Sequence, residues 1–405
     1  MTGSHRPAAA AQQSPPAPRR LLWPLYGAGF VTAFGAHSIA ASLGGFIGPE
    51  HLSLFTLGAL LAVYDGAEVL LKPVFGSLAD RIGPRPVLVG GLAAFAAASA
   101  VFAVAGNPAT IWVARLAQGA AAAAFSPAAG AIMGRLSPNK GRGRAFGGYG
   151  AWKGLGYALG PVLGGVLITV GGYGLLFAVL ALMALVVLAW ALLVVPSVPP
   201  LPRARQTVLD LIRRLSTGTF LRPTVALAGT TAALSVGVGF LPVIGVAHHY
   251  GPIVTGSAVS VLAITGALVQ PRAGRAADAG RITARTGMTI GLLVAAAGFT
   301  VVALIPNLIG ILIAAVAVGV GTGLATPLGF ASLAAATAPE RMGQTMGAAE
   351  VGRELGDAGG PLFVGAIAAA ATLPLGLVGL AAALAVVAAA VALTTTKRLA
   401  RVQPM

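Results

Sequence analysis

The chain of 405 residues contains no cysteine, which excludes disulfide bridges, thiolate chemistry and zinc–sulfur sites. Charge is nearly as scarce. Charged residues make up 9% of the chain, against about 25% in an average protein, and only 10 residues are acidic. No G-x-x-x-x-G-K-[ST] string occurs, so no phosphate-cradling loop is present to power a nucleotide-driven pump. The pair His248-His249 has no acid near it in sequence, so no metal site is expected. No Ser, His or Cys constellation is placed for catalysis, and an enzyme is not expected.

What the chain has in excess is apolar surface. Hydrophobic residues reach 57%, more than a soluble domain buries. Twelve runs of about 20 apolar residues are long enough to cross a bilayer as helices. They cover 22–47, 54–76, 86–106, 109–134, 145–169, 173–195, 223–247, 253–273, 286–305, 308–335, 345–370 and 373–395. The fold expected is all-α, with twelve transmembrane helices in two pseudo-symmetric six-helix bundles.

The formal net charge of +16 suggests nucleic acid, but the distribution of charge argues against it. Lys72, Arg115, Lys153 and Arg353 lie inside spans. The other Lys and Arg residues fall in the tails, in every second loop or, for Arg272, at the very end of a span beside such a loop, and the alternate loops carry none. This asymmetry predicts both termini in the cytoplasm of a multi-pass protein in the cell's inner membrane. The domains read as a disordered tail at 1–20, a first bundle at 21–196, a linker at 197–222, a second bundle at 223–395 and a tail at 396–405. A cleaved signal at the start is disfavoured, because the run after Arg20 is too long for one and is needed as span one. Residues 207–217 fit a short amphipathic helix on the inner leaflet, with a solvated linker as the other reading.

The chain also repeats itself. Residues 72–83 read K-P-V-F-G-S-L-A-D-R-I-G and 270–281 read Q-P-R-A-G-R-A-A-D-A-G-R, pairing Asp80 with Asp278 at 278 − 80 = 198. Residues 152–165 and 352–365 align at an offset of 200, pairing Lys153 with Arg353 and Gly160-Pro161 with Gly360-Pro361. Ser126-Pro127 likewise pairs with Thr326-Pro327. The segment Gly76–Leu88 forms a short polar hairpin between two spans, and Gly76, Leu78, Ala79, Asp80, Arg81, Gly83, Arg85 and Leu88 fit G-x-L-a-D-r-x-G-r-r-x-x-l. That string resembles the loop motif of the major facilitator superfamily, a fold built from two parallel six-span repeats. Gly156-x-x-x-Gly160-Pro161-x-x-Gly164-Gly165 resembles the antiporter motif of its drug:proton exporters, and Arg115-x-x-Gln118-Gly119 their proton-coupling motif.

The resemblance implies a secondary active transporter that works by alternating access, with proton entry driving export of a small lipophilic or drug-like molecule. Asp80 is then expected to cap the start of span eleven through the helix dipole and to bond Arg81 or Arg85. Asp278 is expected to do the same for span five, more weakly. With Gly83, these form the gating loop. Gly156, Gly160, Pro161 and Gly164 serve packing and bending.

The intramembrane charges carry the mechanism. Asp65, Glu68 and Lys72 share a sector of about 60° on span two, and Glu350, Arg353, Glu354 and Asp357 one of about 100° on span eleven. In the fold the chain resembles, spans two and eleven are neighbours across the central cavity, which implies that the two stripes confront each other. Asp65, Glu68, Arg115 and Asp357 are assigned to proton coupling, Asp65 first. Glu68 with Lys72 and Glu350 with Arg353 also read as structural ion pairs. Tyr64, Gln118, Lys153, Trp152, Glu350, Arg353 and Glu354 are assigned to the substrate cavity, though aromatics near span ends also read as interfacial anchors. Span one departs from the exporters: it holds His37 and no carboxylate.

No cofactor is expected beyond the proton as coupling ion. The partners expected are a small molecule, protons and the bilayer, with no nucleic acid, and the chain is expected to be a monomer. A carrier of a metabolite or organic anion, held by Arg115, Lys153 and Arg353, is the alternative within transport. A non-transporting sensor is the alternative from another class, disfavoured by tails of about 20 and 10 residues.

Overall fold

The computed structural model describes residues 19–47, 54–103, 108–138, 141–200, 216–250 and 252–393. The tails before and after them and most of 207–217 lie outside. Among the described residues the chain is helical. The first half contains α1 (Trp23–Ile47), α2 (Leu54–Ile82), α3 (Pro84–Ala103), α4 (Pro108–Ala122), α5 (Phe125–Leu136) and α6 (Arg142–Val194). The second contains α7 (Gly218–Ala247), α8 (Pro252–Asp278), α9 (Ala284–Leu304), α10 (Leu308–Ala335), α11 (Met342–Ala370) and α12 (Leu373–Ala392).

Three of the expected spans are drawn differently. Span four is broken into α4 and α5 because Pro127 has no N–H to offer the carbonyl one turn back, at Ala123. Spans five and six run on as α6, bent where Gly172 takes φ 69° and ψ −174°, a conformation open to glycine and to little else.

The expected polar hairpin is also shorter than its sequence suggests. Helix α2 continues to Ile82, since Ala79 and Asp80 are buried against α11, and the turn shrinks to Gly83 at φ 94°. In the second half the left-handed turn falls at Gly280, φ 71°. That is one residue earlier than the repeat register places it, because Arg281 has a Cβ that disfavours positive φ.

Seven helices among the described residues are long and apolar enough to cross a membrane by length and composition. α11 is not one of them, because Glu350, Arg353, Glu354 and Asp357 fall within it. It is held by packing instead: Gly352, Gly356 and Gly360 lie against α7 at Thr224, Ala228 and Ala232. The same register recurs in the first half, where Gly156, Gly160 and Gly164 lie against α1 at Phe30, Phe34 and Ser38. Large apolar side chains such as Leu193, 86% exposed, and Val170, 76% exposed, cover the outside, a distribution suited to lipid rather than water.

The halves meet at the end that carries the two hairpins. One continuous core there joins Leu88, Ile132 and Met133 of the first half to Leu333, Met342 and Met346 of the second. Met342 and Met346 fill the space left by the missing side chains of Gly134 and Gly130. Two helix pairs form the seams. In one, α2 and α11 touch backbone to backbone, and a Cβ at Gly76 would collide with the Gly343 carbonyl. In the other, α6 and α8 do the same at Gly143 and Gly274.

Candidate functional site

Just above the first seam, α2 and α11 bring their charged stripes together, as the family resemblance implies. Lys72 is 1% exposed and is the hub. Its Nζ lies 2.6 Å from Glu354 across the seam, 3.0 Å from Glu68 on its own helix and 3.8 Å from Glu350. Arg353 donates to both Glu350 and Glu354 at 3.2 Å. The expected pairs Glu68–Lys72 and Glu350–Arg353 are therefore present, joined into one network of three carboxylates and two cations. Ionised groups in so dry a setting persist only when paired this closely. Asp65 and Asp357 lie further along the same helices. Both are exposed, and among the described residues neither is in a salt bridge.

The first half supplies the remaining cations. Arg115, 2% exposed, places its guanidinium carbon 4.2 Å from the centre of the Tyr64 ring and donates to Gln118 at 3.1 Å. It is turned into the bundle rather than snorkelling to the surface. The local cause is Gly119: with no side chain there, α4 comes close to the Tyr64 carbonyl of α2. Tyr64 is itself buried, with one ring face covered by Arg115. Lys153 donates to Ser126 Oγ at 3.2 Å and lies 5.9 Å from the centre of the Tyr157 ring. Ser126 and the Tyr149 hydroxyl are 3.2 Å apart. Tyr157 packs on His37 of α1, ring centres 4.3 Å apart. Trp152 packs edge-on against Trp23 at 5.7 Å and Phe30 at 6.1 Å.

At the hairpin end, Asp80 accepts hydrogen bonds from the amides of Gly343 and Gln344, both at 2.8 Å, at the start of α11. The expected cap is there, but the cation beside it is corrected: Arg135 of α5 bonds Asp80 at 3.0 Å. Arg85 reaches the Leu192 carbonyl instead, and Arg81 is exposed. Span four bends at Pro127, and that bend aims Arg135, which is remote in sequence, at Asp80. Asp278 mirrors the arrangement, accepting from the amides of Gly143 at 3.0 Å and Arg144 at 2.9 Å at the start of α6. Burial pushes the Asp278 carboxyl above the ordinary carboxylate range, against the lowering by those two amides.

The two seams are alike in backbone and unlike in charge. The repeat register pairs Lys72 with Gln270, Glu354 with Gly154 and Glu350 with Gly150. Gln270 fills the space that a side chain at Gly150 would take, and its buried Oε1 has no hydrogen-bond partner. Sequence reasoning passed over Lys72 as a hub and Gln270 altogether. The repeat strings contain the signal, as the one place where Lys in the first copy stands against a neutral residue in the second.

Comparison with known proteins agrees with this architecture. The family model described as "Major Facilitator Superfamily" matches residues 25–279 and 224–404. Inner membrane transport protein YajR of Escherichia coli is 32% identical over 141 residues, 35% of this chain and 31% of that protein. Tetracycline resistance protein, class C, of Escherichia coli is 37% identical over 114 residues, 27% of this chain and 28% of that protein. The matched segments thus span less than a third of these relatives. The human organic anion transporter MFSD10 (TETRAN) superposes with a TM-score of 0.80 at 18% identity, over 92% of this chain and 99% of that one. With two six-helix halves, the repeated hairpins and a family match across both halves, the chain belongs to the Major Facilitator Superfamily of membrane transporters.

Proposed function

We propose that this transporter exports a small lipophilic or drug-like molecule in exchange for protons, by alternating access of a cavity between the halves. The observation that carries the reading is the pair Asp65 and Asp357: carboxylates inside a membrane bundle, exposed, and in no salt bridge among the described residues. An acid at that depth without an ion-pair partner reads by default as a functional group. It binds either a cationic group of the substrate or a proton, and mutual exclusion of the two is what couples them. Arg115 and Tyr64 lie near Asp65, while Lys153, Tyr157 and His37 form a second group on α6 and α1. Export is supported by the glycine–proline string in α6 and by a relative named for tetracycline resistance.

The basic residues Arg81, Arg85, Arg135, Arg142, Arg144, Arg275 and Arg341 gather at the hairpin end, which we assign to the cytoplasm. The contacts at both seams then describe a state closed toward the cytoplasm. The chain works as a monomer in the inner membrane. A second reading, carriage of an organic anion, draws on Lys153, which is in no salt bridge among the described residues.

The test is proton movement by purified protein in liposomes when lipophilic cations are added, wild type beside Asp65→Asn. Movement that disappears in Asp65→Asn supports exchange at Asp65. Movement that persists unchanged transfers the role to Asp357 or the α11 cluster. Silence toward every cation, with a response to organic anions, favours the second reading.

A further inference from the structure

We infer that His37 of α1 sets substrate specificity. Its Nε2 accepts a hydrogen bond from an uncharged donor, so the preferred substrate is a lipophilic amine that also carries a phenolic hydroxyl. The inference rests on the reading above in one respect, that Asp65 takes the cationic group of the substrate.

Hydrogen bonding fixes which ring nitrogen is free. Nδ1 of His37 lies 3.2 Å from the Ala33 carbonyl, which can only accept, so Nδ1 donates. In the neutral ring the lone pair is then on Nε2, and among the described residues Nε2 has no hydrogen-bond partner. Thr32 and Ser38 of the same helix turn their hydroxyls back to carbonyls of α1. Packing fixes the ring itself. A Cβ at Gly160 would lie 3.2 Å from the His37 Cβ, so the glycine lets α6 close on α1 there. Tyr157, three residues earlier on α6, then rests against the imidazole with ring centres 4.3 Å apart.

The ring is nonetheless exposed, and its surroundings place that exposure inside the bundle. Arg115 of α4, Lys153 of α6 and Glu354 of α11 all act on it electrostatically. Arg115 and Glu354 act on Asp65 of α2 as well, so His37 and Asp65 border one space from two helices. Charge decides what each receives. Arg115 and Lys153 disfavour a positive group beside His37, and Glu354 is already engaged by Lys72 and Arg353. The amine therefore belongs at Asp65, and a neutral O–H reaches Nε2. A phenol suits the place, since its ring adds contact with Tyr157. A methyl ether would cover Nε2 and leave a buried acceptor unpaired, which is how a site built for a hydroxyl rejects the analogue without one.

Matched amines test this: dextrorphan beside its methyl ether dextromethorphan, and cupreine beside its methyl ether quinine. The pairs differ in the span from amine to phenol. Binding to the purified full chain is measured at about pH 8, where an ordinary imidazole is neutral. Wild type is expected to bind the phenol about three- to tenfold more tightly than the ether in at least one pair. His37→Asn keeps a donor for Ala33 but has nothing at the Nε2 position, and is expected to bind phenol and ether alike. His37→Gln carries its amide oxygen out to that position and is expected to restore the preference. A wild type without preference in either pair overturns the inference, as does a His37→Asn protein with the wild-type preference. So does a His37→Gln protein that keeps the wild-type thermal midpoint and shows no preference; if that variant does not fold, wild type and His37→Asn decide. Proton movement in liposomes separates this from the reading it rests on. Movement with both members of each pair, bound equally, leaves exchange standing and ends the His37 assignment. A preference that His37→Asn abolishes, with no proton movement, keeps the assignment and ends exchange.

Discussion

Two buried cations within one bundle are expected to behave oppositely when removed. Lys72 is surrounded by Glu68, Glu350 and Glu354, so Lys72→Met leaves three carboxylates with Arg353 alone. Breaking a buried ion pair by deleting one partner costs about 3–5 kcal/mol, and a fall in the thermal midpoint in detergent of several degrees is expected. Arg115 has no carboxylate within salt-bridge distance among the described residues; its partners are a ring face and an amide. The cation–π contact contributes about 2 kcal/mol when desolvated, while burying an unpaired arginine costs a comparable several kcal/mol. Arg115→Met is therefore expected to leave the midpoint within a few degrees of wild type while lowering substrate-driven proton flux at least about tenfold. A large loss of stability in Arg115→Met would show that the guanidinium is structural. The sequence pointed to both residues as intramembrane charges. It could not rank them, because the ranking depends on which acids lie within 4 Å across a seam between helices far apart in the chain.

At the scale of helices, the glycines at the two seams set how closely the halves close. A side chain at Gly76 would run into the Gly343 carbonyl, and one at Gly274 into the Gly143 carbonyl. These are backbone atoms that cannot swing aside. Gly76→Val is expected to wedge α2 from α11, opening the hairpin end and raising the labelling rate of a cysteine placed at Gln344 by about tenfold or more. Gly66 is the matched control on the same helix. Nothing lies within 4 Å of where its Cβ would be, so Gly66→Ala is expected to leave labelling unchanged and to gain up to about 1 kcal/mol of helix stability. Equal labelling in both variants would remove the seam from the gating reaction. The helix caps belong to this scale as well. Asp80 carries two amides and Arg135, whereas Asp278 carries two amides and a carboxyl pushed upward by burial. Asp80→Asn is accordingly expected to impair transport more than Asp278→Asn. Proteoliposome flux measured side by side checks the order.

For the whole molecule, the charge within the bundle is polarised. Asp65, Glu68, Glu350, Glu354 and Asp357 all lie on α2 and α11, whereas Arg115 packs on Tyr64 of α2 from α4 and Lys153 comes from α6. If transport exchanges a proton for a substrate, a membrane potential of about 100 mV supplies about 2.3 kcal/mol per charge moved, in addition to any pH gradient. A protonophore is then expected to abolish uphill flux while leaving downhill flux measurable; uphill flux that survives the protonophore would exclude coupling to protons. Much of this architecture could be read from the chain alone. Twelve apolar runs have no stable arrangement other than membrane-spanning helices, because backbone groups in lipid must be satisfied within each segment. The repeat of the hairpin and of the glycine–proline string fixed the two-half plan, and the spacing of Asp65, Glu68 and Lys72 fixed a shared face. Tertiary structure alone decided the rest: that Lys72 reaches Glu354, that Arg135 rather than Arg81 or Arg85 holds Asp80, and that Gln270 faces empty glycine positions. Periodicity is a property of one helix and survives in the sequence. Partnership across a seam depends on where bends such as Pro127 and Gly172 send each helix, and on glycines that let backbones touch, so it exists only once the halves have packed.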